Sequence, residues 1–118
     1  MQTLQNSPPQ PGDIPAFCLF DERHNLPPNL GALYTGYNWK KHRATPNPSA
    51  YNTARLRLLN GETIKLYITG LTPALCEFIS IVIDLRLRCC KCQRKTGGLI
   101  LLHYDRETGT YFEQTIIN

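Results

Sequence analysis

The chain has 118 residues, 42% of them hydrophobic, which is enough for one modest core and too few for two. Its formal net charge is +4, and eleven of its thirteen Lys and Arg residues fall between Lys40 and Lys95, a concentration that attracts nucleic acid or an acidic protein surface. No signal-peptide pattern and no membrane-length apolar run is visible, and five cysteines cannot complete a disulfide framework. An intracellular protein, cytoplasmic or nuclear, with reduced thiols is therefore expected.

In chain order, residues 1–14 are proline-rich and polar with little to bury, which predicts a disordered tail ahead of a single domain at 15–118. AFCLF, Ala16 to Phe20, reads as a first strand. Pro27 and Pro28 make the following segment a loop. Residues 34–51, rich in aromatic, basic and proline residues, read as a second irregular stretch.

ARLRLL alternates Leu56 and Leu58 against Arg55 and Arg57, and ETIKLYI alternates Ile64, Leu66 and Ile68 against polar positions. Together they predict a bulged hairpin closed by Leu59-Asn60-Gly61, with Gly61 in the left-handed conformation. Thr72 and Pro73 then open a helix; Leu71, Leu75, Phe78, Ile79 and Val82 fit a helical stripe, and the helix is expected to run to about Ser80. Near Ile81 the period changes, and the alternation of Ile83, Leu85 and Leu87 against Asp84, Arg86 and Arg88 predicts a strand to about Cys89. LILLHYD, a turn at RETG and TYFEQTII complete the chain as two further strands. Short connections favour antiparallel pairing. The expected fold is α+β, a small antiparallel sheet with one central helix and an irregular N-terminal third.

LRLRCCKCQRKTGG holds the densest chemistry. Cys89 and Cys92 form a C-x-x-C, which places two thiolates on one turn as in structural zinc sites. Lys91, Arg94 and Lys95 would lower the thiol pKa. His103 is the nearest further ligand, and Cys76, Cys18 and His42 are the choices for a fourth. Burial as small core residues would equally account for Cys89 and Cys76. A redox pair is disfavoured, because such pairs open a helix whereas this one follows a predicted strand. No catalytic triad, phosphate loop or nucleotide fingerprint is present, so an enzyme is not expected.

The run LTPALCEFISIVIDLRLRCCKCQRK, residues 71–95, resembles the N-terminal part of a zinc domain in the papillomavirus early oncoprotein family. Leu75 and Cys76 match a Leu-Cys pair on that family's helix. Asp84, Leu85, Leu87, Cys89 and Cys92 match its strand and first two zinc ligands. The resemblance implies a non-enzymatic viral adaptor that binds host regulatory proteins, its zinc completed here by His103 or by a second subunit.

A different chemistry lies upstream. Residues 34–57 interleave Tyr34, Tyr37, Trp39 and Tyr51 with Lys40, Lys41, Arg43, Arg55 and Arg57. Aromatic faces stack on unpaired bases while basic side chains neutralise phosphates. With Arg86, Arg88, Lys91, Arg94 and Lys95 added, the sheet would carry one positive face. The sequence therefore predicts a binding protein: a regulatory or adaptor protein with a candidate zinc site, or a nucleic-acid-binding protein, or a subunit of a larger assembly such as a homo-oligomer.

Overall fold

The computed structural model describes residues 14, 16–20, 26–69, 72–90 and 96–118. The expected tail therefore lies outside the described residues, apart from Ile14. The elements are β1 (Ala16–Phe20), β2 (Ala32–Asn38), β3 (Arg43–Pro46), α1 (Pro48–Leu59), β4 (Ile64–Tyr67), α2 (Thr72–Cys90), β5 (Leu99–Asp105) and β6 (Thr110–Ile117). They form a six-stranded sheet in the order β3-β2-β1-β4-β5-β6.

The sheet is mixed. β1 lies parallel to both β2 and β4, and β4 lies parallel to β5. Only β2–β3 and β5–β6 are antiparallel. The expectation of a small antiparallel sheet with one helix is thus corrected. α2 supplies the crossover from β4 to its parallel neighbour β5. A second helix at Pro48–Leu59 lies on the longer connection from β1 through β2 and β3 to β4, whereas parallel β1 and β2 are joined through residues 21–31. The irregular N-terminal third is corrected too, since β2, β3 and the start of α1 occupy most of residues 34–51.

α1 replaces half of the predicted hairpin, and its ends show why. Asn47 precedes a proline in the first helical turn, where a missing N–H costs nothing. The Asn47 amide donates to the Ala32 carbonyl at 3.0 Å, which ties the start of α1 to β2. Ala50, Ala54 and Leu58 are the buried stripe, at i, i+4 and i+8, while Leu56 is 61% exposed. The alternation of Leu56 and Leu58 is two residues of a helix seen in isolation. Gly61 does adopt a positive φ, 83°, but as a helix terminator. Its N–H donates to the Leu58 carbonyl at 3.1 Å and the Glu62 N–H donates to Arg57 at 2.9 Å, the paired bonds of a Schellman end.

α2 likewise continues past Ser80. Ala74, Phe78, Val82 and Leu85 are buried at helical spacing, so the core stripe does not break where the alternation begins. Asp84 and Arg88 meet one turn apart at 2.9 Å. The predicted strand ending at Cys89 is therefore a helix, and Ile83, Leu85 and Leu87 diverge around it.

The two helices touch through Tyr51 and Phe78, ring centroids 6.4 Å apart, so they share one side of the sheet. Their buried residues join Phe17, Leu19, Leu33, Ile64, Leu66, Leu99 and Leu101 in one core. Register explains that set, since Phe17 lies beside Leu66 and Leu66 beside Leu101. Burying a Leu or Phe side chain of this kind contributes about 1.5–3 kcal/mol. The Thr69 hydroxyl closes the far ends of β1 and β4. It accepts from the Phe20 N–H and donates to the Phe20 carbonyl, both at 2.9 Å.

Candidate nucleic-acid interface and the cysteine segment

The tip of the β2–β3 hairpin carries a cluster of exposed basic and aromatic residues. Asn38 organises it, because its side-chain oxygen accepts from the N–H groups of Lys40 at 3.0 Å and Lys41 at 3.1 Å. His42 completes the reversal with φ 51°. Trp39 is 63% exposed, yet its ring is held at 65° to that of Tyr37, centroids 4.8 Å apart. Lys40, Lys41 and Arg43 are exposed around it. Among the described residues, the three ion pairs all lie elsewhere in the molecule.

The remaining arginines do not extend this patch into one positive sheet face, because they sit on helices. Arg55 and Arg57 are two positions apart on α1 and so point to different sides. Arg57 pairs with Glu62 at 3.3 Å. Arg86 donates to the Asn118 carbonyl at 2.6 Å, and Arg88 pairs with Asp84. Lys91, Arg94 and Lys95 lie outside the described residues.

The cysteine segment is described in part. Cys92 and the side chain of Cys89 lie outside the described residues. Cys76 is exposed on α2, thirteen residues before Cys89 on the same helix. At 1.5 Å per residue their backbones stand roughly 20 Å apart along the axis, so one ion does not reach both. His103 lies on β5, its Nε2 2.7 Å from the Gln114 side-chain oxygen and its ring stacked on Phe112 at 5.1 Å. Cys18 is buried in β1, its Sγ 3.6 Å from the Asn29 side-chain oxygen. Among the described residues, no three His, Cys, Asp or Glu side chains converge as metal ligands.

One further cluster has no counterpart among the sequence-predicted sites. Tyr34 of β2 is fully buried, and among the described residues its hydroxyl has no partner at full hydrogen-bond geometry, although the Glu77 carboxylate lies close enough to act on it. Its ring lies 6.0 Å from that of Tyr51 on α1, edge to face. Burial first, and then the Glu77 carboxylate of α2, push the Tyr34 phenol far above its ordinary range. Tyr51 is raised mainly by burial too; Arg55 pulls it down and Glu77 pushes it up. Two phenols held protonated, a carboxylate and a guanidinium thus meet where β2, α1 and α2 join. Such a set can exchange hydrogen bonds with a polar group that reaches Tyr51 and Arg55, both of which are only half-buried. The signal in the sequence is Glu77, an acid next to Phe78 within the apolar stripe of a helix.

No family model, curated protein or solved structure matches the chain.

Proposed function

We propose that the protein binds nucleic acid, with the β2–β3 hairpin tip holding an unpaired strand. The observation that carries this reading is Trp39, exposed at a basic turn and braced by Tyr37. A large aromatic ring left in water costs apolar burial, and one fixed edge-on by a neighbour is ready to stack on a base. Lys40, Lys41 and Arg43 stand where the flanking phosphates would run. No catalytic step is part of this reading.

Trp39 is the chain's only tryptophan, so its fluorescence reports the interaction directly. Titration with a single-stranded oligonucleotide is expected to quench it, more than a duplex of the same sequence does. Trp39→Ala should weaken binding by about 1–3 kcal/mol, the worth of one stacked base. Replacing Lys40 and Lys41 together by Ala should flatten the salt dependence by about 0.7 log unit for each phosphate left unneutralised. Binding that ignores salt and survives Trp39→Ala would end this reading.

A protein-binding adaptor is the second reading, favoured by a different surface. Cys76, Ser80, Ile83 and Leu87 follow one another at helical spacing on α2 and are all exposed, Leu87 by 64%. A strip of this kind suits a groove on a partner protein. Zinc held by Cys89 and Cys92, completed by His103 or a second subunit, belongs with this reading and with the viral resemblance. Native mass spectrometry before and after chelation tests it; a mass excess of one zinc per chain or per dimer is the expected result. Among the described residues, no helix is long and apolar enough to cross a membrane.

A further inference from the structure

The two edges of the sheet are built differently. β3 is four residues long and carries Arg43 and Pro46, devices that discourage a further strand from pairing. β6 is eight residues long, TYFEQTII, without lysine, arginine or proline. Phe112 to Thr115 are exposed along it, Phe112 by 54%. Its one charge, Glu113, is already met by Lys65 of the same chain. Nothing on β6 therefore repels an incoming strand, and its outward N–H and C=O groups have no partner strand among the described residues.

We propose that β6 pairs with β6 of a second copy, antiparallel, across a two-fold axis that sets Gln114 opposite Gln114. The register follows from symmetry. An axis perpendicular to the sheet keeps each face against its own kind, so the paired numbers must add to an even total. Pairing centred on Glu113 sets two carboxylates opposite each other, which is unfavourable. Pairing centred on Phe112 leaves Thr115, Ile116 and Ile117 without a partner in the strand. Pairing centred on Gln114 uses nearly the whole strand. It places Phe112 opposite Ile116 and Glu113 opposite Thr115, and brings two amide side chains together. The strand is complementary to itself, which singles out a second copy over a foreign peptide. The joined sheet then ends in β3 at both extremities, so a dimer presents two Trp39 hairpins facing away from its axis. Two linked tips raise the avidity for a long strand without any change at either tip.

Sedimentation velocity on the full chain at micromolar concentration reads the oligomer directly. A dimer is expected, with a melting temperature that rises with protein concentration. Gln114→Lys sets two like charges face to face and should raise the dimer dissociation constant at least about tenfold. Phe112→Lys should act in the same direction. Gln114→Cys provides a reading that does not rely on weakening: mild oxidation should give a reducible covalent dimer beyond any seen in the unmodified chain. Arg106→Cys, in the β5–β6 turn, should not do so. A monomeric wild-type chain, lysine variants that dimerise as well as wild type, or a Gln114→Cys chain that does not cross-link would each overturn the proposal.

Discussion

The β2–β3 and β5–β6 hairpins flank the same sheet, and each reverses over four residues, but they present opposite chemistry. The first turn is organised by the Asn38 side chain and a left-handed His42, and it projects Trp39, Lys40 and Lys41. The second is organised by Asp105, whose side chain accepts from the Glu107 N–H at 2.9 Å and whose carbonyl accepts from Gly109 at 2.8 Å. It leads into a nearly uncharged edge strand. One hairpin exposes an aromatic ring among cations and the other a nearly uncharged strand, and the two lie at opposite edges of one sheet. Their anchoring differs as well. β6 is tied in beside Gly98, which admits no side chain, whereas β2 carries a glycine with open space around it.

That difference gives the largest expected effect. A Cβ at Gly98 would lie 2.2 Å from the Ile117 carbonyl oxygen, a backbone atom that cannot step aside. Gly98→Ala should therefore detach the end of β6 and destabilise the protein by at least about 3 kcal/mol, seen as a large fall in the thermal midpoint. At Gly36 of β2 nothing lies within 4 Å of the same atom. Gly36→Ala should stay within about 0.5 kcal/mol of wild type or gain slightly, because a strand glycine loses more freedom on folding. Equal effects at the two positions would mean that the hairpins are anchored alike.

The next test concerns the Lys65–Glu113 pair, which pins β6 to the middle of the sheet. Lys65 is 5% exposed in a central strand, while Glu113 is half-exposed. Glu113→Gln leaves a buried ammonium without its counter-charge. Discounted for the exposure of Glu113, the cost should be about 1–2 kcal/mol by denaturant unfolding. Lys65→Met removes the need for a partner and should cost less than Glu113→Gln. The reverse order would show that the pair stabilises the edge by attraction, not by avoiding an orphaned charge.

How far the sequence discloses this structure also divides by region. β1 and the β5–β6 hairpin are legible, because five apolar residues, or two β-rich runs with a turn between them, match only one element. α1 passes for a strand because a two-residue alternation is compatible with both periods; the decisive positions, Ala50 and Ala54, are small and carry little hydrophobic signal. The strand expected at Ile83–Cys89 fails for a related reason. β-branched residues and alternation suggest a sheet, but tertiary packing of Val82 and Leu85 keeps the helix going. Parallel pairing cannot be read from short connections when α1 is hidden. At the candidate site, Trp39 and its lysines are legible as composition, though their place at a hairpin tip is not. Tyr34 and Glu77 are invisible as a pair, being 43 residues apart in sequence and joined only by the fold.

The smallest effect separates the tyrosine clusters that each hairpin carries. At the root of β2, Tyr34 meets Tyr51 and Glu77; on the β5–β6 side, Tyr67 and Tyr104 flank Tyr111 at 4.8 and 5.3 Å. Burial raises the pKa of Tyr34, Tyr67 and Tyr111 above the ordinary 10.0. A raised phenol favours the neutral form in the folded state, so its contribution is full below pH 10 and is lost as pH climbs from there towards the folded value. Tyr34 is fully buried beside a carboxylate, whereas Tyr111 lies nearer the surface, so the alkaline loss should come mainly from β2. At neutral pH, Tyr34→Phe also removes a hydroxyl that has no partner at hydrogen-bond geometry among the described residues, so it should be neutral or stabilising by up to about 1 kcal/mol. Above pH 10 the same variant should keep stability that wild type loses, and Tyr111→Phe should keep less of it. Destabilisation of Tyr34→Phe at neutral pH would mean that the hydroxyl is engaged after all, and Glu77→Gln would then identify its partner by causing a matching loss.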